Sequence, residues 1–359
     1  MPSTTLRAAF PVLADRAYLN AGTFGPLPSA AASAAAEVAA RAAVEGRARP
    51  YFERLLELRE CQRSAYAALL GADAADIALT TSTSDGLVRV LGGLDLGPED
   101  EVLTAPDEHP GLLGPLITLR ERRGVRVRTA PFAALADAVG PATRLVACSH
   151  VSWMTGALRP DGLAALPDEV PVILDGAQGV GAVPTDVAAL GCACYAGSGQ
   201  KWLCGPMGTG MLWVAPAWRE RVAPLGATYI NLADAAAGLD GALHRDARRY
   251  DAPAVALESV AGAMAAHDVL AAEGWDAVFS RARDLAAELA SALAERGREV
   301  APGDATTLVS WEDDDAEATA QRLAEAGVIV RFLPGAGRVR ASVGAWNDGS
   351  DLERLLAAL

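Results

Sequence analysis

Of the 31 lysine and arginine residues in this chain, one, Lys201, is lysine. Arginine can fill every surface role of lysine. Its guanidinium, however, keeps its proton in proteins and cannot condense with an aldehyde, whereas a desolvated lysine amine can. The sole lysine is therefore a candidate for covalent chemistry, weighed against chance survival of a surface residue. It ends the stretch Ser198-Gly-Gln-Lys201, which follows the apolar run Ala193–Ala196. Ser198 and Gln200 offer donors of the kind that reach a phosphate.

Asp175 directly follows another apolar run, Pro171-Val-Ile-Leu174. A carboxylate at the end of a buried strand is costly unless a cation or several donors meet it. It could cap the turn Gly176-Ala177-Gln178-Gly179. It could equally pair a protonated pyridine nitrogen, keeping that ring an electron sink for a substrate carbanion. A third piece is Thr80-Thr81-Ser82-Thr83-Ser84-Asp85-Gly86. Hydroxyls and free N–H groups at a helix start make an anion site, although a plain N-cap is the commoner meaning of such a run. Asp85 would oppose an anion, so Thr83 and Ser84 are the candidate ligands. A fourth is Glu108-His109-Pro110-Gly111, where His109 could stack on an aromatic ring or be an ordinary loop histidine.

Short apolar runs recur at 77–80, 101–105, 125–129, 144–149, 170–174, 193–196 and 209–214. They predict seven strands, the first five alternating with helices as in a mainly parallel sheet covered on both faces, and the last two joined by a tighter turn. Ligands of open parallel sheets bind beyond the carboxyl ends of the strands, and all four pieces above lie at such ends. Residues 29–70 are Ala-rich with helical spacing, closed by Gly71. After an irregular stretch, 226–252, residues 253–297 read as helical. The chain then shows strand 307–311, helix 315–326, strand 328–332, strand 338–343 and helix 350–359. The fold class predicted is α/β, with a large domain at 15–225 and a small α+β domain at 226–359, on which residues 1–14 would pack.

A length of 359 residues suits two domains. A net charge of −14 disfavours nucleic acid and anionic membrane surfaces as partners. No apolar run approaches the ~18–20 residues of a membrane span, and Met1–Leu13 does not read as a signal peptide. The five cysteines (61, 148, 192, 194, 204) are odd in number, which predicts reduced thiols and a cytoplasmic setting. Cys192 and Cys194 lack the second pair that a zinc site needs, so no metal is expected.

Asp175-Gly-Ala-Gln178, then Ser198-Gly-Gln-Lys201 followed by Gly205-Pro-Met-Gly-Thr-Gly210, resembles the signature of the class V aminotransferase family of fold-type I pyridoxal-5′-phosphate (PLP) enzymes. That family includes cysteine desulfurases, kynureninase, isopenicillin N epimerase-like proteins and ergothioneine-pathway C–S lyases. The resemblance extends to Tyr18-Leu-Asn-Ala-Gly-Thr-Phe-Gly25, Thr83-Ser84, Glu108-His109, Ser149-His-Val-Ser-Trp153 and Val339-Arg-Ala-Ser-Val-Gly-Ala-Trp-Asn347, nearly the whole chain. It implies that Lys201 carries PLP as a Schiff base and shuttles protons. It also implies that Asp175 pairs the pyridine nitrogen, Gln178 bonds the ring hydroxyl and His109 stacks on the ring. Thr83, Ser84, Ser198 and Gln200 would hold the phosphate, Arg340 would grip the substrate α-carboxylate, and Asn20, Ala21 and Gly22 would line the substrate side. A homodimer with sites at the interface is implied too.

Three positions depart from the family pattern. The loop Phe332-Leu-Pro-Gly-Ala-Gly-Arg338 lacks the nucleophilic cysteine of cysteine desulfurases, and Cys204 reads as a packing residue. The stretch Arg248-Arg-Tyr-Asp-Ala-Pro253 lacks the Gly-Thr pair that reaches the neighbouring subunit's phosphate, leaving Tyr250 or an arginine as substitutes. Trp153 stands where an Asn often sits, as packing or as a substrate wall. The expected activity is at Cα/Cβ of an L-α-amino acid, first β-elimination of the C–S lyase type, with epimerisation and transamination as alternatives. A non-catalytic scaffold leaves Asp175, Lys201 and Arg340 without a purpose. A cofactor-free lysine aldolase does not match the strand pattern.

Overall fold

The computed structural model describes residues 4–359. The N-terminal segment forms helix α1 (Thr4–Ala8) and strand β1 (Ala17–Tyr18), followed by two long helices, α2 (Ser29–Glu45) and α3 (Arg49–Leu70). Gly71 ends α3 in the left-handed conformation, φ 62°, as a C-terminal glycine does most cheaply.

All seven expected strands form one sheet: β2 (Ile77–Thr80), β3 (Glu101–Thr104), β4 (Arg126–Thr129), β5 (Thr143–Ser149), β6 (Val172–Asp175), β7 (Cys194–Ser198) and β8 (Gly210–Val214). Their order is β2-β8-β7-β6-β5-β3-β4. β8 runs antiparallel to both its neighbours and the remaining pairs are parallel. Successive residues alternate between two cores, as the strand period of two demands. Ala78, Val102, Leu145 and Ala147 face one core, and Ile77, Leu79, Leu103, Val146 and Cys148 the other. The first is covered by α4 (Thr83–Gly93) and α5 (Pro110–Arg123), the second by α3. The edge strand β4 carries Arg126 and Arg128 and is the least buried, a composition that discourages edge pairing.

The alternation with helices holds only for the crossovers after β2 and β3. Between β4 and β7 the connections hold 3-10 turns (Phe132–Ala134, Asp161–Ala165) and no α-helix. Pro131, Pro141, Pro160, Pro167, Pro171 and Pro184 interrupt these stretches, and proline removes a helix donor and clashes with the preceding turn.

The C-terminal part contains α6 (Leu257–Ala271), α7 (Trp275–Glu295), β9 (Leu308–Glu312), α8 (Ala316–Glu325), β10 (Val328–Ile329), β11 (Arg331–Leu333), β12 (Arg338–Ser342) and α9 (Gly349–Ala358). The single strand expected at 328–332 is two strands in different sheets. β10 pairs parallel with β1, whereas β11 joins β12 and β9 in an antiparallel sheet. Leu6, Phe10 and Leu13 share a core with Val278, Leu308 and Trp346, and Arg7 donates to the buried Asp351 (2.7 Å). Residues 1–3 of that segment lie outside the described residues.

Much of residues 246–271, assigned to the smaller unit by composition, packs on the larger one, while Leu270 joins the core of Val278, Leu308 and Trp346. α6 packs on α2 and α3, Ala247 and Tyr250 join the sheet's core, and Ala252 N–H donates to the Leu79 carbonyl (2.8 Å). A boundary near residue 272 fits these contacts better than one at 225. Asp251 anchors the crossing segment. Its buried carboxylate accepts from Arg59 (2.8 Å), from both terminal nitrogens of Arg63 (3.0 and 2.8 Å) and from Leu79 N–H (2.8 Å). Asp251→Ala would leave two buried guanidiniums short of their counter-charge and is expected to cost about 3–5 kcal/mol, read as a lower urea midpoint; a loss below about 1 kcal/mol would show the cluster to be solvent-compensated.

Candidate active site

The carboxyl ends of adjacent strands β6 and β7 bring Asp175 and the Ser198–Lys201 turn together, with Asp175 opposite Ala196 in the register. Above them lies a cavity of about 300 Å³. Of the residues singled out in the sequence, Gly22, Thr83, Ser84, His109, Trp153, Asp175, Gln178, Ser198, Gln200, Lys201 and Arg340 line it. Asn20 and Ala21 do not. The Asn20 amide oxygen accepts from the Thr23 hydroxyl (2.8 Å), and Ala21 is fully buried. Their part is to shape the turn that presents Gly22.

Burial pushes the Lys201 amine down to about 8; Asp175 opposes that shift, while Arg340 and Arg331 reinforce it. Burial pushes Asp175 up, against the pull of Lys201 and of the Ala177 N–H, which donates to the carboxylate at 2.9 Å. The carboxylate thus bonds the turn, as one reading of the sequence expected, and also faces the amine's field. His109 caps α5, its Nδ1 accepting from Gly111 N–H (3.0 Å). Burial, then Lys201, Arg331 and Arg340, push this imidazole down to about 4. His109 is therefore neutral near pH 7, with its proton on Nε2, because Nδ1 is the acceptor. The Glu108 carboxylate ties this turn to β5 through the Ser149 N–H (2.9 Å) and hydroxyl (2.5 Å).

At the start of α4 the capping reading holds. Ser82 is the cap, accepting from Asp85 N–H (3.1 Å), and Thr83 and Ser84 follow in the first turn, facing the cavity. Asp85 turns away, bonded to Thr81 and paired with Arg89 (2.8 Å), so its charge does not oppose an anion at the helix start. Arg340 is 1 % exposed and donates to the Trp153 carbonyl (2.7 Å). Among the described residues it pairs with no carboxylate. Burial, then the like charge of Arg331, lower its pKa; the guanidinium remains charged. The Trp153 indole donates to the Asp107 carbonyl (2.8 Å) and meets His109 edge to face at 5.2 Å.

Arg331, Thr23, Phe24 and Met207 also line the cavity and were missed in the sequence. Arg331 lies opposite Arg340 in the β11–β12 register, a relation hidden once 328–332 was read as a single strand. Tyr250 is not free to replace a cross-subunit phosphate contact, because its buried hydroxyl serves the Arg219 and Val222 carbonyls (2.7 and 2.8 Å). Cys204 is fully buried and burial raises its thiol well above the usual range, as a packing residue requires. Among the described residues no group of His, Cys, Asp or Glu is arranged to hold a metal, and no helix is long and apolar enough to cross a membrane.

Four cavity-lining residues leave a buried polar atom without a partner: Thr83 Oγ1, Ser198 Oγ, Gln200 Oε1 and Arg340 Nε. Buried polar groups are nearly always satisfied, so the Thr83 and Ser198 hydroxyls and the Arg340 N–H fit a bound anionic ligand, which the Gln200 side chain would meet with its amide N–H rather than its oxygen. A lone amine, a buried acid, a neutral imidazole and a hydroxyl cluster at a helix start match PLP group by group. The chain is a PLP-dependent enzyme with the fold-type I architecture. It belongs to the class-V aminotransferase family, whose model matches residues 33–355.

The chain is 31 % identical over 339 residues to a probable cysteine desulfurase of Pseudomonas aeruginosa, covering 86 % of this chain and 83 % of that one. It is 32 % identical over 225 residues to the isopenicillin N epimerase of Streptomyces clavuligerus, covering 57 % of this chain and 55 % of the epimerase, about half its length. Among solved structures it is similar to the cystine C–S lyase C-DES in complex with its reaction product cysteine persulfide, with a TM-score of 0.90, 27 % identity, and 97 % and 98 % of the two chains covered.

The amine's position near 8 makes cofactor capture pH-dependent, because only the neutral amine attacks an aldehyde. The rate at which apoenzyme takes up PLP should rise about tenfold per pH unit below 8 and level off above it, followed by stopped-flow absorbance. A rate still climbing steeply beyond pH 9 would mean that the amine is solvated.

Proposed function

We propose that the enzyme cleaves the Cβ–S bond of an L-cysteine S-conjugate or of cystine, releasing pyruvate, ammonia and a thiol or persulfide. The observation that carries this reading is the turn between β11 and β12. It is only four residues long, Pro334 to Gly337, and has no cysteine. With Cys204 buried and no cysteine among the described residues that line the cavity, sulfur would leave with the product rather than pass to a protein thiol. The similarity to a cystine C–S lyase supports it.

PLP, when bound, supplies an electron sink for charge released at Cα. Thr83, Ser84, Ser198 and Gln200 would hold its phosphate, His109 would stack on its ring, Gln178 would bond its hydroxyl, and Asp175 would keep the ring nitrogen protonated. Arg340 binds the substrate carboxylate with a planar fork. Lys201, its amine lowered to about 8 and so neutral above that pH, takes the Cα proton. Trp153 and Arg331 bound the substrate side. The exposed apolar residues Phe24 and Met207, which line the cavity, fit a second copy of the chain at its mouth, so we propose a homodimer. The five unpaired thiols fit a reducing compartment.

The test is product analysis. Holoenzyme incubated with cystine or an S-alkyl-cysteine should yield pyruvate and the sulfur product in equal amounts. A D-amino acid would instead make it an epimerase, the reading that its likeness to isopenicillin N epimerase favours. An oxo acid with the cofactor left as its amine would make it an aminotransferase.

A further inference from the structure

Trp202 follows the sole lysine, is 1 % exposed, and has no role in the chemistry above. Its indole N–H donates to Oε1 of Gln178 at 2.9 Å. Nε2 of the same amide donates to the Gly22 carbonyl at 2.8 Å. An indole nitrogen can only donate and a backbone carbonyl can only accept. The two partners therefore specify which end of the Gln178 amide faces which way. Flipped, the amide would set oxygen against the Gly22 oxygen and N–H against the indole N–H. Gln178 is itself buried and lines the cavity. Its nitrogen carries two protons, and Gly22 takes one.

We infer that Trp202 is a positioning residue, holding the Gln178 amide so that an N–H rather than a carbonyl meets the hydroxyl oxygen of the cofactor ring. This rests on the assignment of Gln178 to that oxygen in the proposed function. The oxygen carries negative charge once its proton is gone, and a donor stabilises it where a carbonyl would repel it. The consequence reaches the proton on the nitrogen that links Lys201 to the cofactor. When that proton leaves, the oxygen loses its nearest positive charge and depends more on the Gln178 N–H. The donor thus favours the deprotonated linkage and lowers its pKa; losing the donor's orientation raises it.

Trp202→Phe removes the indole donor and keeps an aromatic ring. The pH titration of visible absorbance in the holoenzyme is expected to move up by about one pH unit, a tenfold change in proton affinity, with PLP dissociating about tenfold more readily. Gln178→Met should give the same direction of shift, and the double variant should add little to either single one, because both act through one bond. An unchanged titration in Trp202→Phe, or shifts that simply add, would overturn the inference. If Trp202→Phe does not fold, Gln178→Glu decides: it still accepts from Trp202 but offers no N–H, so an unshifted titration there overturns the inference as well. Native protein that forms no coloured adduct with PLP would sink the underlying assignment instead, an outcome distinct from a coloured protein with an unshifted titration.

Discussion

Lys201→Ala is expected to lower turnover by about 10,000-fold while leaving the fold intact. No other side chain can take over, since the chain has no second lysine. The substitution removes both the covalent anchor and the base that moves the Cα proton. Stability should not fall. Burial depresses the amine's pKa in the fold, so the unfolded chain binds that proton more tightly, and stability is lost as pH drops from the unfolded value towards 8. Deleting the amine removes that penalty. Apoenzyme of the variant should therefore unfold at the same or a higher temperature than the parent at pH 7, while PLP added to it stays free and is removed by dialysis. A variant retaining more than roughly a hundredth of the activity would place the proton transfer on another group.

The second large effect is expected at Arg340. Arg340→Ala should raise KM for substrates bearing an α-carboxylate by an amount worth about 2–5 kcal/mol, roughly 30-fold to several thousand-fold. The structure gives this cation one carbonyl, an unpartnered Nε and no carboxylate among the described residues. Its removal therefore breaks no ion pair and should leave the melting temperature nearly unchanged. Arg340→Lys should recover little, because a point charge on a flexible stem does not reproduce a two-pronged contact. A substrate analogue with an amide in place of the carboxylate should show almost no difference between parent and variant. Unchanged KM for the carboxylate substrate would refute the role.

These expectations rest on a site that was partly legible in the linear chain. Most of the seven strands were readable because they are short apolar runs, buried on both faces and bounded by polar or Gly/Pro residues; the exposed edge strand β4 is the exception. That pattern also located the strand ends, and with them Asp175, Lys201 and the hydroxyl run at Thr83. Connections were less legible. An Ala-rich stretch such as 133–139 looks helical by composition, yet prolines and glycines on either side hold it to short turns. The strand at 328–332 was misread because an apolar run carries no sign of changing partner. Ile329 pairs with Tyr18, while Arg331, two residues on, pairs with Arg340.

What the sequence determined by itself was the chemistry available: one amine able to form a covalent bond, an acid beyond a buried strand, and donors for an anion. Those are properties of residue type and of local order along the chain. Only the tertiary structure decided which groups share the cavity and in what state. It set Arg331 beside Arg340, turned Asp85 away to Arg89, committed the Tyr250 hydroxyl elsewhere and oriented the Gln178 amide through Trp202. The reason is physical: proton affinity and hydrogen-bond direction depend on neighbours through space and on burial, and residues 150 or more apart in the chain, such as Gly22 and Gln178, become neighbours only when the sheet and its covering layers close.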